Sequence, residues 1–307
     1  FITGGGGYVG SALSDYLVKK GYQVTAYDLF LYGKDVFLEN DKIKLIEGDI
    51  RNIELFKKSI KNHDLVIHLA CISNDPSFEL NPKLGKSINF DAFEPLVKAS
   101  LDAGIKRFIY ASSSSVYGIK SEPNVNEDMS LEPLTDYSKF KVDCEKILEN
   151  YRSNNFETVI LRPATVCGYS RRQRLDVIVN ILSNLAFHKR EITVFGGTQL
   201  RPNIHITDML RAYEILLSAK SEKVNGQIFN AGWENKSVNE IAESVRKNIG
   251  ADVKIINSRT DDNRSYHISS EKIKDILNFK TKFTISDAIN DLKKAFENKV
   301  FKDPLEN

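Results

Sequence analysis

Apolar positions recur along the first half of the chain in two alternating rhythms. Short β-type runs predict strands at 22–27, 43–47, 65–69, 107–111 and 158–161. Between them, apolar residues at helical spacing predict helices at 9–19, 53–60, 89–103 and 137–151. Such alternation builds βαβ units, so residues 1–165 read as an α/β domain with a doubly wound parallel sheet. After Arg162 the rhythm changes to helices at 175–187, 207–219, 238–249 and 285–296, with short strands at 192–195 and 227–230. This predicts a smaller C-terminal lobe over 166–307, packed on the carboxyl edge of the sheet, with some later segments returning to the first domain.

Composition narrows the range of partners. The 307 residues suffice for one large domain or two ordinary ones, and 41% hydrophobic against 27% charged residues is a globular balance. The 43 Lys and Arg and 41 Asp and Glu leave a net charge of +2. That gives no general drive toward nucleic acid or an anionic membrane, so an anionic ligand must be held by local groups. No apolar run reaches the roughly 20 residues of a membrane span, and no secretory leader pattern opens the chain. The start at Phe1, already inside a strand-like run, implies that residues of the first strand precede it. Cys71, Cys144 and Cys167 form neither metal-site spacing nor a complete disulfide set. A cytoplasmic protein without a bound metal is expected.

The first chemical signal is a glycine cluster between a strand and a helix. Gly4, Gly7 and Gly10 have the spacing GxxGxxG, and Tyr8 and Val9 open the helix. Residues without side chains let the backbone turn tightly and approach a pyrophosphate, which rests on the helix's first N–H groups. The next strand leads to Asp28, whose carboxylate can accept both adenosine ribose hydroxyls and would repel the extra phosphate of NADP. These residues point to a Rossmann domain that takes NAD. Asp49 and Ile50, after the third strand, are placed to contact the adenine. Leu69, Ala70 and Cys71, after the fourth, would give a flat cofactor clearance. His68 has no metal partners in sequence and reads as a packed histidine.

The second signal lies at the end of the strand at 107–111. Ser112, Ser113, Ser114 and Ser115 put several hydroxyls at a strand's carboxyl end, where doubly wound folds place ligands. Tyr137 and Lys141 follow, one helical turn apart on one face. A nearby ammonium and the charge of an oxidised nicotinamide both favour the phenolate, turning the phenol into a usable base. Tyr16 and Lys20 repeat the spacing on the first helix, where Tyr16 reads as a packing residue.

Together, the glycine turn, Asp28, Gly48-Asp49-Ile50, His68-Leu69-Ala70, the run from Ser112 to Gly118, Tyr137-x-x-x-Lys141 and Leu161-Arg162-Pro163 resemble the extended short-chain dehydrogenase/reductase family that acts on nucleotide sugars. The likeness continues through 201–208, 229–232 and 264–266. It implies that Tyr137 takes a proton from a sugar hydroxyl, usually at C4, while hydride passes to NAD. It further implies that Ser113 bonds the reacting oxygen, that Lys141 binds the nicotinamide ribose, and that Pro163 packs near the ring. Arg201 and Arg264 match arginines that hold the substrate diphosphate, and Ser115 and Thr165 fall among the substrate contacts. Family 4,6-dehydratases carry an acid where this chain has Ser114 and Ser115, and relatives that epimerise beside a keto group carry a Cys at the Ser115 position.

The resemblance therefore implies an NAD-dependent 4-epimerase, with a 4-dehydrogenase or 4-keto reductase as the alternative and a non-catalytic dinucleotide-sensing module as a third. The helices at 89–103 and 137–151 correspond to those that form a homodimer in relatives. Departures at Thr165 and at Arg201-Pro202-Asn203 leave the sugar and the base open. Arg171, Arg172 and Arg174 read either as a phosphate-holding segment or as a solvated charge run.

Overall fold

The protein is described by a computed structural model over residues 1–37, 40–260 and 265–305. β1 (Ile2–Thr3) leads through the glycine turn into α1 (Tyr8–Lys19), β2 (Val24–Asp28), β3 (Ile43–Glu47), α2 (Ile53–Ser59) and β4 (Leu65–His68). Two short helices, α3 (Asp75–Glu79) and α4 (Pro82–Lys86), are each opened by an asparagine side chain that accepts a backbone N–H. A π turn at Ser87–Asp91 joins them to α5 (Phe93–Asp102). β5 (Arg107–Ala111) runs into a 3-10 turn at Ser114–Tyr117, followed by α6 (Asp136–Asn150), β6 (Glu157–Pro163) and β7 (Thr165–Cys167). The remainder comprises α7 (Ile178–Lys189), β8 (Glu191–Phe195), β9 (Leu200–His205), α8 (Ile206–Ser218), α9 (Ser221–Val224) and β10 (Gln227–Ala231). β11 (Glu234–Ser237), α10 (Val238–Ile249), β12 (Lys254–Ser258), α11 (Glu271–Leu277) and α12 (Ile285–Glu297) complete it.

Among the described residues, seven strands form one parallel sheet in the order β10-β6-β5-β4-β1-β2-β3. Both faces are covered, which is why a strand such as β5 buries Phe108 and Ile109 alike. On one face Leu13 and Leu17 of α1 and Tyr213 and Leu216 of α8 pack together; on the other, Phe56, Phe93 and Leu148 of α2, α5 and α6 do so. The chain winds outward in opposite directions from β1 and β4, so the carboxyl ends of these strands border a crevice. The strand read at 227–230 belongs to this sheet: β10 lies parallel to β6, and the chain returns from the smaller lobe to form it. That lobe holds the β11-β9-β7 sheet, the β12-β8 pair and a core between α7, α10 and α12.

Several bounds differ from the sequence reading for tertiary reasons. The helix expected from 89 is α-helical only from Phe93, because 87–91 form the π turn, within which Asn89 accepts the Ile72 N–H at 2.8 Å and donates to the Ile72 carbonyl at 2.9 Å. The helix expected from 175 begins at Ile178, because Val177 is extended and Leu175 packs on Leu292 and Phe296 from outside the helix. The strand expected from 22 begins at Val24, because the Tyr22 N–H is still bonded to the Leu17 carbonyl of α1. No helix among the described residues is long and apolar enough to cross a membrane.

Candidate active site

The glycine turn is built so that side chains cannot replace two of its residues. Gly4 has φ +70°, and a Cβ there would lie 2.6 Å from the Ala70 nitrogen; a Cβ on Gly10 would lie 2.1 Å from the Gly4 carbonyl oxygen. The turn thereby packs at Gly4 against Leu69 and Ala70, just past β4, and at Gly4 and Gly5 against Gly10 of α1. Gly7 caps α1 without a side-chain hydrogen bond, leaving the first N–H groups of the helix beside Tyr8 and Val9 to a ligand. Asp28, at the end of β2, accepts the N–H of Gly6 at 3.0 Å and of Phe30 at 2.8 Å. Its carboxylate therefore borders the turn.

Beside this cradle, Ile50 is buried in the core with Tyr27 and Phe56. Asp49 holds the Arg51 guanidinium through both carboxylate oxygens, which keeps its pKa below the usual carboxylate range. His68 is the packed residue expected from its sequence context. It is buried, shares a 2.7 Å hydrogen bond with Thr3 Oγ1 and stacks on Tyr110.

The serine run and α6 meet at one point. Lys141, buried on α6, donates to the Ala111 carbonyl at 2.7 Å, and its ammonium lies 5.6 Å from the Tyr137 ring centre. Two residues beyond Ala111, Ser113 and Ser115 share a 2.9 Å hydrogen bond between their hydroxyls. Tyr137 opens α6 just after Thr135, which caps the helix and donates its hydroxyl to Asp75 at 2.5 Å. Burial pushes the Tyr137 phenol above the ordinary tyrosine range; Cys71 and Asp75 act in the same direction and Arg174 opposes them. Burial thus outweighs the opposing charge of Arg174, and the lowering expected from the sequence is not found in the protein alone.

Sequence reasoning missed the polar network beneath these residues. Glu145 of α6 accepts from Arg162 of β6 at 3.0 and 2.6 Å and also accepts the Ser112 hydroxyl. Arg162 donates to Tyr117 Oη at 2.8 Å, and that hydroxyl donates to Asn230 at 2.7 Å. The available signal was an acidic residue one helical turn beyond Lys141 on the buried face of α6. Asp75 and Tyr266 were missed as well: with Ser115, Thr135 and Ser138 they line a small cavity beside Tyr137.

The remaining candidates lie toward the smaller lobe. Pro163 ends β6, and Thr165 begins β7 opposite Asn203 of β9. Arg201 of β9 places its guanidinium 5.4 Å from the Tyr266 ring centre, which connects it to the cavity beside Tyr137. Arg264 lies outside the described residues.

The decisive comparison is with a family model, the NAD dependent epimerase/dehydratase family, which matches residues 1–232. The chain belongs to that family. Membership in the NAD-dependent epimerase/dehydratase family makes the protein an enzyme with NAD as its cofactor. The side-chain-free turn, the uncapped start of α1 and the carboxylate of Asp28 fit a dinucleotide. Among relatives, the UDP-glucose 4-epimerase of Lactobacillus helveticus is 28% identical over 302 residues, 92% of this chain and 91% of its own length. The UDP-N-acetyl-alpha-D-glucosaminuronate decarboxylase of Bacillus cytotoxicus is 30% identical over 272 residues, 83% of this chain and 81% of its own. The crystal structure of the UDP-glucuronic acid 4-epimerase of Bacillus cereus, in complex with UDP-glucuronic acid and NAD, superposes with a TM-score of 0.86 at 26% identity. The superposition covers 97% of this chain and 98% of that one.

Proposed function

We propose that this enzyme is a nucleotide-sugar 4-epimerase that keeps its NAD through turnover, and that its substrates are UDP-sugars. One observation carries the reading. Lys141 ties Tyr137 to the carboxyl end of β5, where Ser113 and Ser115 are hydrogen-bonded to each other and positions 114 and 115 hold hydroxyls in place of a carboxylic acid. Removing water from C5 and C6 requires an acid in that turn; moving a proton on and off one hydroxyl does not. The 4-epimerases among the relatives support the same reading.

In this mechanism Ser113 Oγ holds the C4 oxygen, and Tyr137 removes its proton. Lys141 lies close enough to the phenol ring to steady the phenolate, while its bond to Ala111 fixes its own position. Bound NAD supplies a hydride acceptor at the sugar carbon and a positive charge that favours the phenolate. The resulting 4-keto sugar would turn within the site and take the same hydride back on the opposite face of C4, while Tyr137 returns the proton to the C4 oxygen, giving the epimer. Arg201, with Arg264, holds the diphosphate through charge-assisted hydrogen bonds, so that the nucleotide stays anchored while the sugar turns. Ser115 and Thr165 face the sugar.

Two copies pair through α5 and α6 in this reading. Phe90 and Phe140 stack on that side of the molecule at 5.1 Å, and Leu84 and Leu101 are exposed there. Sedimentation at micromolar concentration should give a dimer; a monomer alone would reject this pairing.

The reaction is tested by giving the NAD-loaded protein UDP-glucose, UDP-glucuronic acid and their N-acetylated counterparts and identifying products by NMR. A C4 epimer without net change in NADH is the expected result. An accumulating 4-keto sugar, stoichiometric NADH consumption or a decarboxylated pentose would replace the 4-epimerase by another member of the family.

A further inference from the structure

Of the basic run Arg171, Arg172 and Arg174, only Arg174 enters the chemistry above, through its charge near the Tyr137 phenol. The run lies between β7 and α7 in a segment without regular structure, yet that segment is tied down along its length. At one end Tyr8, the first residue of α1, donates its hydroxyl to the Gly168 carbonyl at 2.6 Å, and Ser170 Oγ donates to the Tyr8 carbonyl at 2.9 Å. In the middle, the buried Gln173 side chain accepts the Ser170 N–H at 2.9 Å and donates to the carbonyls of Gly168 and Arg174. At the other end Arg174 holds Asp176 at 2.6 Å, and Asp176 also accepts Asn74 Nδ2 at 2.7 Å, from the residue that caps α3 in the connection after β4. The segment therefore bridges from the start of α1, beside the glycine turn, to the start of α3 in the connection that follows β4.

Arg172 hangs between these anchors. Its guanidinium lies on the ring of Tyr32, 3.5 Å from the centroid, and Tyr32 stands four residues beyond Asp28. One terminal nitrogen donates to the Gln173 carbonyl, but Nε is buried without an acceptor among the described residues. A buried donor left unpaired is costly, and an anion in front of it would supply the missing acceptor. The glycine turn from Gly4 to Gly10 contains no lysine or arginine, and the net charge of +2 provides no general attraction for a diphosphate. A stacked guanidinium keeps its in-plane N–H groups available for phosphate oxygens. Arg171 differs: it is exposed and only approaches Asp15, at 3.9 Å.

We propose that residues 168–176 form a strap over the cofactor, and that Arg172 is the cation the strap presents to the diphosphate of NAD. The inference rests on NAD as the cofactor and is independent of which carbon of which sugar reacts. A strap anchored at both ends must release Tyr8 or Asp176 before NAD can leave, which makes exchange slow and retention through many turnovers natural.

The test follows NAD release from the full-length, NAD-loaded protein after rapid gel filtration, beside UDP affinity by calorimetry. Arg172→Gln should release NAD roughly ten-fold faster or more, with UDP affinity unchanged. Arg171→Gln should match the parent, and Arg172→Lys should recover part of the retention. If Arg172→Gln does not fold, Tyr32→Ala removes the stacking platform while leaving the anchors, and it should speed release in the same direction. Parental release rates in the stacking and charge variants would overturn the proposal. So would a loss of UDP affinity with NAD release unchanged, which would assign the guanidinium to the sugar nucleotide.

Discussion

Glu145 and Arg162 form a two-pronged ion pair beneath the candidate active site, with side chains 4% and 3% exposed. The pair joins α6, one turn past Lys141, to the residue before Pro163, and Ser112 closes the triangle from the end of β5. Three elements that carry candidate site residues are thus held to one another by one carboxylate.

Removing one partner of such a pair leaves the other charge buried and uncompensated. Glu145→Gln should therefore lower unfolding free energy by about 3–5 kcal/mol, measured by urea denaturation. Tyr117→Phe removes only a neutral hydroxyl at the edge of the network and should cost about 1 kcal/mol. Equal effects from the two changes would show that the ion pair is not the centre of the network.

Ser113→Ala removes the hydroxyl assigned to the reacting oxygen without touching the glycine turn. Turnover should fall about a hundredfold or more, as for loss of a donor to a developing oxyanion, while the NAD content of the purified protein stays unchanged. Unchanged turnover would pass the role to Ser115.

Burial, and after it the ammonium of Lys141, holds the pKa of His68 down to about 3, against 6.5 in the unfolded chain. A depressed folded value means that the neutral ring's contribution to stability is present above pH 6.5 and is lost as pH falls toward 3. The drop in urea midpoint between pH 6.5 and about pH 4 should be smaller in His68→Leu than in the parent. Parallel drops would show that His68 does not contribute to the acid limb.

Two of the three cysteines are buried, and burial pushes the Cys144 thiol up to about 12 and Cys167 further still. Cys71 is half-buried at the end of β4 and interacts with Tyr137. A maleimide should label Cys71 alone in the native protein at neutral pH, and NAD should slow the labelling. Labelling of Cys144 at the same rate, identified by peptide mapping, would contradict this burial pattern.

Local pattern carried much of the fold. The bounds of β5 and α10 follow directly from apolar spacing, because each buries apolar residues along its length, whereas β3, a half-exposed edge strand, is marked by Ile43, Leu45 and Ile46 beside the charged Lys44 and Glu47. In the smaller lobe β8 was legible at 192–195, but the other strands left little trace. Arg201-Pro202-Asn203 within β9 and Glu234-Asn235-Lys236-Ser237 in β11 are polar segments whose pairing comes from each other and not from an apolar face. Leu175 continues the apolar spacing of α7, yet it packs on Leu292 and Phe296 from outside the helix, since the anchors at Tyr8 and Asp176 hold the strap extended. At the site, Tyr137, Lys141 and the serine run were legible because one turn of helix and one strand end bring them together. The Glu145–Arg162 pair and the neighbours Asp75 and Tyr266 were not, because long-range sheet order and chain crossings bring them there.

The central claim is that one sugar carbon, C4, gives up a hydride and takes it back while Tyr137 carries the proton. It is tested most directly by supplying the NAD-loaded enzyme with a converted UDP-sugar deuterated at C4 and locating the label in the product by NMR. The account predicts a C4 epimer with deuterium still at C4. Deuterium at C6, in water or accumulated on NADH would contradict it.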